Sequence, residues 1–248
     1  MEQKSQPDAP LVEAIDVGIA RPRSNQLIVS HVNWKVGAGE FWVVGGGQGA
    51  GKTSFLCTVA GLWRPAAGVV RHFGEDLAEL SEQKLLRLRT RVGFVFKGGG
   101  RMLADLTVAE SVALPLYYHL DWTDEQAGER VKVILQATEL EWAADSKAQD
   151  AGWGCQQRIG LARALALNPE VLFLDEPLSG LDAHDRNWWR KFLETLWQGT
   201  PLTEGHKMTL VAVTNDFGLW SGGKHRRGLL RGGRWEEIGE REEIAEIV

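Results

Sequence analysis

The chain lacks most of what would tie it to an oxidising compartment, a lipid bilayer or a nucleic acid. It has two cysteines, Cys57 and Cys155, too few for a disulfide framework or a cysteine-built metal cluster. No stretch approaches the roughly 18 consecutive apolar residues of a membrane-spanning helix. Residues 1–10 are polar, contain two prolines, and hold no apolar core of a secretory leader; they read as a loose tail. Positive charge is not in excess. Lys and Arg number 28 against 33 Asp and Glu, a formal charge of −5, so a global basic footprint is missing and nucleic acid is not expected as a partner. There is no internal repeat. These absences predict a cytoplasmic chain with no membrane part of its own.

What is present is ordinary in bulk and unusual in two residue types. The 248 residues are 44% apolar and 25% charged, enough for a sizeable buried core. Glycine (29) and tryptophan (11) are plentiful. Residues 27–36, 41–44, 92–96, 171–174 and 209–213 read as strands. Residues 53–62, 106–116, 123–142, 155–167 and 185–198 read as helices. Thr123 and Gln126 form a capping box at the third of these, and Asn168-Pro169 closes the fourth. Strands and helices alternate in the outer parts, which predicts an α/β core with a parallel sheet. The mainly helical middle, about 98–168, reads as an inserted helical subdomain, with the core at about 11–97 and 169–248. Trp189 and Trp197 fall on one helical stripe and read as core, whereas Trp122, Trp142 and Trp188 read as partly exposed.

The glycines cluster where chemistry is expected. Gly46-Gly47-Gln48-Gly49-Ala50-Gly51-Lys52-Thr53 matches the phosphate-binding pattern G-x-x-x-x-G-K-[ST]. Glycines let the backbone fold tightly, so that several N–H groups point at one anion. Lys52 brings a point charge to the β- and γ-phosphates, and the Thr53 hydroxyl is a magnesium ligand. The helix that follows, with Ser54 in its first turn, offers its positive end to phosphate. A second signal lies at 171–177, an apolar strand ending in Asp175-Glu176-Pro177. The C-terminal end of such a strand is where α/β proteins place ligands. Asp175 is expected to hold Mg2+ and Glu176 to polarise an attacking water.

Taken in order, these segments resemble the nucleotide-binding subunit of an ATP-binding cassette (ABC) transporter, a P-loop NTPase, over about residues 11–235. The order is phosphate loop, strand 92–96, helices, Gln156-Gln157-Arg158 with Leu161-Ala162-Arg163-Ala164-Leu165, the Asp175-Glu176-Pro177 motif, Ser179-Gly180-Leu181-Asp182, and Val213-Thr214. The resemblance implies one ABC ATPase domain over 11–248, ATP and Mg2+ as cofactors, and a second ABC ATPase subunit as dimer partner. It further implies integral membrane permease subunits and a place on the inner face of the cell membrane. Ser179–Asp182 matches the family's D-loop at the dimer contact. The segment 106–116 is similar to the part of bacterial transporter ATPases that faces the permease, closest in flavour to the lipid- and solvent-transport (Mce-associated) group. A non-hydrolysing regulator or scaffold of the same ancestry is the alternative. DNA-repair and translation relatives are disfavoured, because no coiled-coil insertion or tandem second cassette is present.

Four family positions are altered. Where the family's signature reads Leu-Ser-Gly-Gly-Gln, this chain has Ala151-Gly152-Trp153-Gly154-Cys155. Gly152 has no hydroxyl, and Trp153 puts a large ring where close backbone approach calls for glycine. Lys97 stands at the Q-loop glutamine. A protonated lysine has no acceptor for magnesium or water, yet it can neutralise a phosphate. Asn215 stands at the switch histidine; it can donate to a γ-phosphate but carries no positive charge. Residues 18–23, where the family stacks an aromatic ring on adenine, contain none, leaving Arg21 or Arg23 as substitutes. The phosphate anchor and the carboxylates are retained, so Mg-ATP binding with slow hydrolysis by the chain alone is expected.

Overall fold

The computed structural model describes residues 9–21, 24, 26–220 and 223–239. Most of the expected tail (1–8), Arg23 and the end of the chain (240–248) lie outside the described residues.

The chain opens with β1 (Val12–Ala20) and β2 (Leu27–Val36), followed by β3 (Phe41–Gly46) and α1 (Lys52–Val59). Next come β4 (Ala67–His72), β5 (Glu75–Asp76), α2 (Glu82–Arg89) and β6 (Val92–Val95). Three helices follow: α3 (Val108–Leu120), α4 (Asp124–Ala137) and α5 (Trp153–Leu165). The last part holds β7 (Val171–Asp175), α6 (Ala183–Gln198), β8 (Thr209–Thr214), β9 (Arg226–Arg231) and β10 (Arg234–Ile238).

The strands form two sheets. The main sheet has six strands in the order β10-β9-β3-β8-β7-β6. The five from β9 to β6 run parallel, and β10 closes the edge as an antiparallel hairpin with β9. The second sheet, β2-β1-β4-β5, is antiparallel throughout. The expected α/β core with a parallel sheet is present, and the antiparallel sheet, whose strands come before and after α1 in the chain, adds to it.

Strand β7 is apolar at four successive positions because both its faces are covered. Leu172 and Leu174 join a core with α3, α4, α5 and α6. Val171 and Phe173 join a second core with α1 and the antiparallel sheet. Strands β3 and β8 divide in the same way: Phe41, Val43, Leu210 and Ala212 face the first core, and Trp42, Val44, Val211 and Val213 the second. Three adjacent strands are thus fixed by burial on two sides, which holds their C-terminal ends in register. Gly45 pairs with Thr214, and Asp175 pairs with Val213. Everything that follows those ends is brought to one edge of the sheet.

Helices α3, α4 and α5 all lie within residues 98–168, where the inserted subdomain was expected. Helix α4 starts at the capping box read from the sequence, with Thr123 and Gln126 bonded reciprocally. Helix α3 begins with a second box, Thr107 with Glu110, and runs through Pro115 to Leu120, beyond the expected end at 116. Helix α5 starts two residues earlier than expected, at Trp153. Trp189, Leu193 and Leu196 of α6 are fully buried, and the Trp197 indole N–H donates to the Gly39 carbonyl at 2.7 Å.

Candidate active site

The loop from β3 to α1 wraps back over the start of the helix. Gly51 takes φ 92°, a left-handed conformation that a residue with a Cβ adopts only with strain. It is the N-cap of α1, and neither a side-chain cap nor an acidic residue occupies that end. The first-turn N–H groups are thereby left to a ligand. A Cβ built on Gly47 or Gly49 meets nothing within 4 Å, so the cradle is open above the loop. The Lys52 ammonium folds back to donate to the carbonyls of Gly46 and Gly47, at 2.9 Å each. It lies 4.0 Å from a Glu176 oxygen.

Opposite the loop stand the two carboxylates. The Thr53 hydroxyl, in the first turn of α1, donates to Asp175 at the end of β7, at 3.0 and 3.1 Å to the two oxygens. A hydroxyl and a carboxylate side by side form a hard-oxygen donor pair, which suits Mg2+. Here the residues fit the ion that the phosphate-loop pattern implies. Burial raises the Asp175 pKa, while the Thr53 hydrogen bond works against that shift. Burial lowers the Lys52 pKa, and the charges of Glu176 and Asp175 oppose the effect.

Glu176 leaves the strand through a left-handed backbone, φ 48°, unusual for a residue with a side chain and typical of functional sites. Its N–H donates to the Val213 carbonyl (3.1 Å), and its carbonyl accepts from the Ser179 N–H (3.0 Å). The turn carries its carboxylate, 9% exposed as a residue, away from the strand axis. There it meets two of the altered positions. The Lys97 ammonium donates to one oxygen at 2.5 Å, and the Asn215 amide donates to the other. Lys97 follows β6 and Asn215 follows β8, so strand order alone brings both beside β7. Lys52, Lys97, Thr53, Asp175, Glu176 and Asn215 thus share one site, with Gly46–Gly51 as its floor. Ser54 is buried inside α1.

The Trp153 ring lies against Gly98 and Gly180 of its own chain while the residue stays exposed, at 48%. An added Cβ on Gly98 would come within 2.5 Å of the ring. Its indole N–H donates to the Ser179 carbonyl at 3.3 Å, which also accepts from the Gln157 amide at 3.1 Å. The signature position, the segment after β6 and the Ser179–Asp182 loop therefore meet within one chain. Gln157 and Arg163 were visible in the sequence without any role. Arg163 binds the carbonyls of Gly99 (2.9 Å) and Arg101 (3.2 Å), contacts that no sequence spacing announces. Arg21 is exposed, and its backbone bonds to Gln26 and Ser24 in the turn between β1 and β2.

A family model described as "ABC transporter" matches residues 29–179. The sulfate/thiosulfate import ATP-binding protein CysA of Bradyrhizobium diazoefficiens is 36% identical over 219 residues, 87% of this chain and 60% of that protein. The lipoprotein-releasing system ATP-binding protein LolD of Syntrophotalea carbinolica is 36% identical over 196 residues, 79% of this chain and 83% of that protein. Among solved structures, the ATP-binding cassette MJ0796, a dimer in a post-hydrolysis state bound to ADP and Pi, aligns with a TM-score of 0.79 and 28% identity. That alignment covers 92% of this chain and 99% of the other. The chain spans about 60% of the length of the CysA and MetN relatives it matches.

Proposed function

The chain belongs to the ABC transporter family, and from that premise we propose that it is the ATP-binding subunit of a membrane transporter. It binds Mg-ATP on the loop Gly46–Gly51 with Lys52, Thr53 and Ser54, and couples binding and hydrolysis to a permease. The observation that carries this reading is the convergence of Lys52, Thr53, Asp175 and Glu176 on one open cradle. Lys52 gives up its two carbonyl contacts to meet the β- and γ-phosphates. Thr53 and Asp175 hold Mg2+, which when bound neutralises phosphate charge. Glu176 orients and polarises the water that attacks the γ-phosphorus; the water's oxygen bonds to that phosphorus, its proton passes by way of Glu176 to the departing phosphate, and the bond to the bridging oxygen breaks to release ADP. Asn215 donates a hydrogen bond from the far side of Glu176.

The chain works as a dimer with a second ABC ATPase subunit and sits peripherally on the inner face of the membrane, held there by permease subunits. Among the described residues no helix is long and apolar enough to cross a membrane itself. The relatives carry sulfate/thiosulfate, methionine and lipoprotein names. The lipid- and solvent-transport grouping suggested by 106–116 has no counterpart among them. Hydrolysis by the chain alone is slow, because Gly152 has no hydroxyl to offer a γ-phosphate, Trp153 puts a ring where close backbone approach is needed, and Asn215 donates without a positive charge. Losing one such donor typically costs about 10²–10³ in rate.

The binding step is tested by calorimetric titration of Mg-ATP onto the intact chain and onto Lys52→Ala. The expected result is saturable binding to the first and at least about tenfold weaker binding to the second, since a charge-assisted contact is worth roughly 1.5–3 kcal/mol. Equal binding by both proteins contradicts the proposed site.

A further inference from the structure

Lys97 is built into the fold in two unlike parts. Its backbone is fastened. The following Gly98 lies under the Trp153 ring. Gly99 donates its N–H to the Phe96 carbonyl (2.9 Å) and accepts from Arg163 (2.9 Å). An added Cβ on Gly99 would stand 1.9 Å from the Gln156 carbonyl oxygen, so the turn lies directly on α5. The side chain is a different matter. It is 47% exposed and reaches one carboxylate oxygen of Glu176. On the other side of that carboxylate lies Lys52, 4.0 Å away. Two ammonium groups therefore share one carboxylate at the mouth of a phosphate cradle, and Lys52 marks where phosphate charge arrives.

Two consequences follow from charge alone. While Lys97 and Asn215 hold both oxygens of Glu176, that carboxylate has its strongest acceptor sites engaged and is a poor partner for water. A γ-phosphate brought beside Lys52 carries more negative charge than the carboxylate does, and it competes for the half-exposed ammonium. A diphosphate ends short of that place. We propose that Lys97 is a specificity-determining residue that moves from Glu176 to the γ-phosphate, so that the site tells ATP from ADP and frees Glu176 only when ATP is present. The proposal rests on the reading of the cradle as an ATP site, and it deepens that reading by naming the group that senses the third phosphate. Helix α5 carries the turn below Lys97, so Trp153 and Arg163 set the point from which the side chain swings.

The test is a calorimetric comparison of Mg-ATP and Mg-ADP on the full chain, on Lys97→Ala, on Lys97→Arg and on the Glu176→Gln variants with and without Lys97→Ala. Thermal melts establish that each protein is folded. In Lys97→Ala the preference for ATP over ADP is expected to fall about tenfold, with ADP affinity within about twofold of the parent, as expected for one lost charge-assisted bond. Lys97→Arg keeps most of the preference. Glu176→Gln releases Lys97 and tightens ATP binding, and this gain shrinks when Lys97→Ala is added. An unchanged ATP-to-ADP ratio in Lys97→Ala, or equal weakening of both nucleotides, overturns the proposal while leaving the ATP site standing. A parent chain that binds neither nucleotide overturns the ATP site itself.

Discussion

At the scale of single residues, the chain separates groups that serve the cradle from groups that serve burial. Glu176 belongs to the first kind, since its left-handed backbone is kept where its carboxylate meets Lys97 and Asn215. His72 belongs to the second. It ends β4, is 1% exposed, and has Nε2 2.7 Å from the Val59 carbonyl at the end of α1. Burial holds its pKa down to about 4, below the ordinary 6.5. Between those values the unfolded chain binds a proton that the folded chain refuses, so stability falls as pH falls through 6.5 toward 4. The linkage amounts to about 2 kcal/mol at pH 5, as an order of magnitude. Denaturant melts between pH 7.5 and 5 should show this loss in the parent and much less of it in His72→Gln, which keeps a donor toward Val59. A pH slope identical in both proteins contradicts the assignment.

At the scale of elements, the turn after β6 is a tightly packed connection beside the site. Gly99 has φ 80° and presses its Cα side onto the Gln156 carbonyl, while Gly160 of α5 approaches it from the same face. Gly99→Ala adds a methyl group against backbone that has no rotamer to yield. The expected cost is at least about 2 kcal/mol, a drop of roughly 4 °C or more in melting temperature for a chain of this size. Calorimetry reads it directly, and a drop below about 1 °C is incompatible with the packing described.

The elements also show which patterns a single sequence carries. Strands β3, β7 and β8 were legible because burial on two faces makes them apolar throughout. Strand β1 was not, since register shifts between Ala14 and Val17 and beyond break its two-residue alternation. Helix α2 was missed because Leu88 is its one buried residue and leaves no apolar stripe. The β9–β10 hairpin is rich in arginine and was hidden for a related reason. Within the site, Lys52, Thr53, Asp175 and Glu176 were readable from motif spacing. The engagement of Lys97 with Glu176 was not, because it depends on β6 lying next to β7, 79 residues apart along the chain.

At the scale of the whole molecule, two cores on opposite faces of one sheet carry the phosphate loop on one side and the helices α3 to α5 on the other. The site lies where the ends of β3, β6, β7 and β8 converge, so neither face alone completes it. On the proposed reading, Lys52 and Asp175 keep the phosphate and metal roles while Lys97 and Asn215 change what meets a γ-phosphate. The proposed function has the chain hydrolyse ATP through Glu176, slowly when alone. Phosphate release under saturating Mg-ATP, measured side by side for the parent chain and Glu176→Gln, tests it most directly. Expected is slow release by the parent, roughly 10²-fold or more below a family member with all its phosphate-sensing groups, and none above background in the variant. Release at the same rate by both proteins, or fast release by the parent, would contradict it.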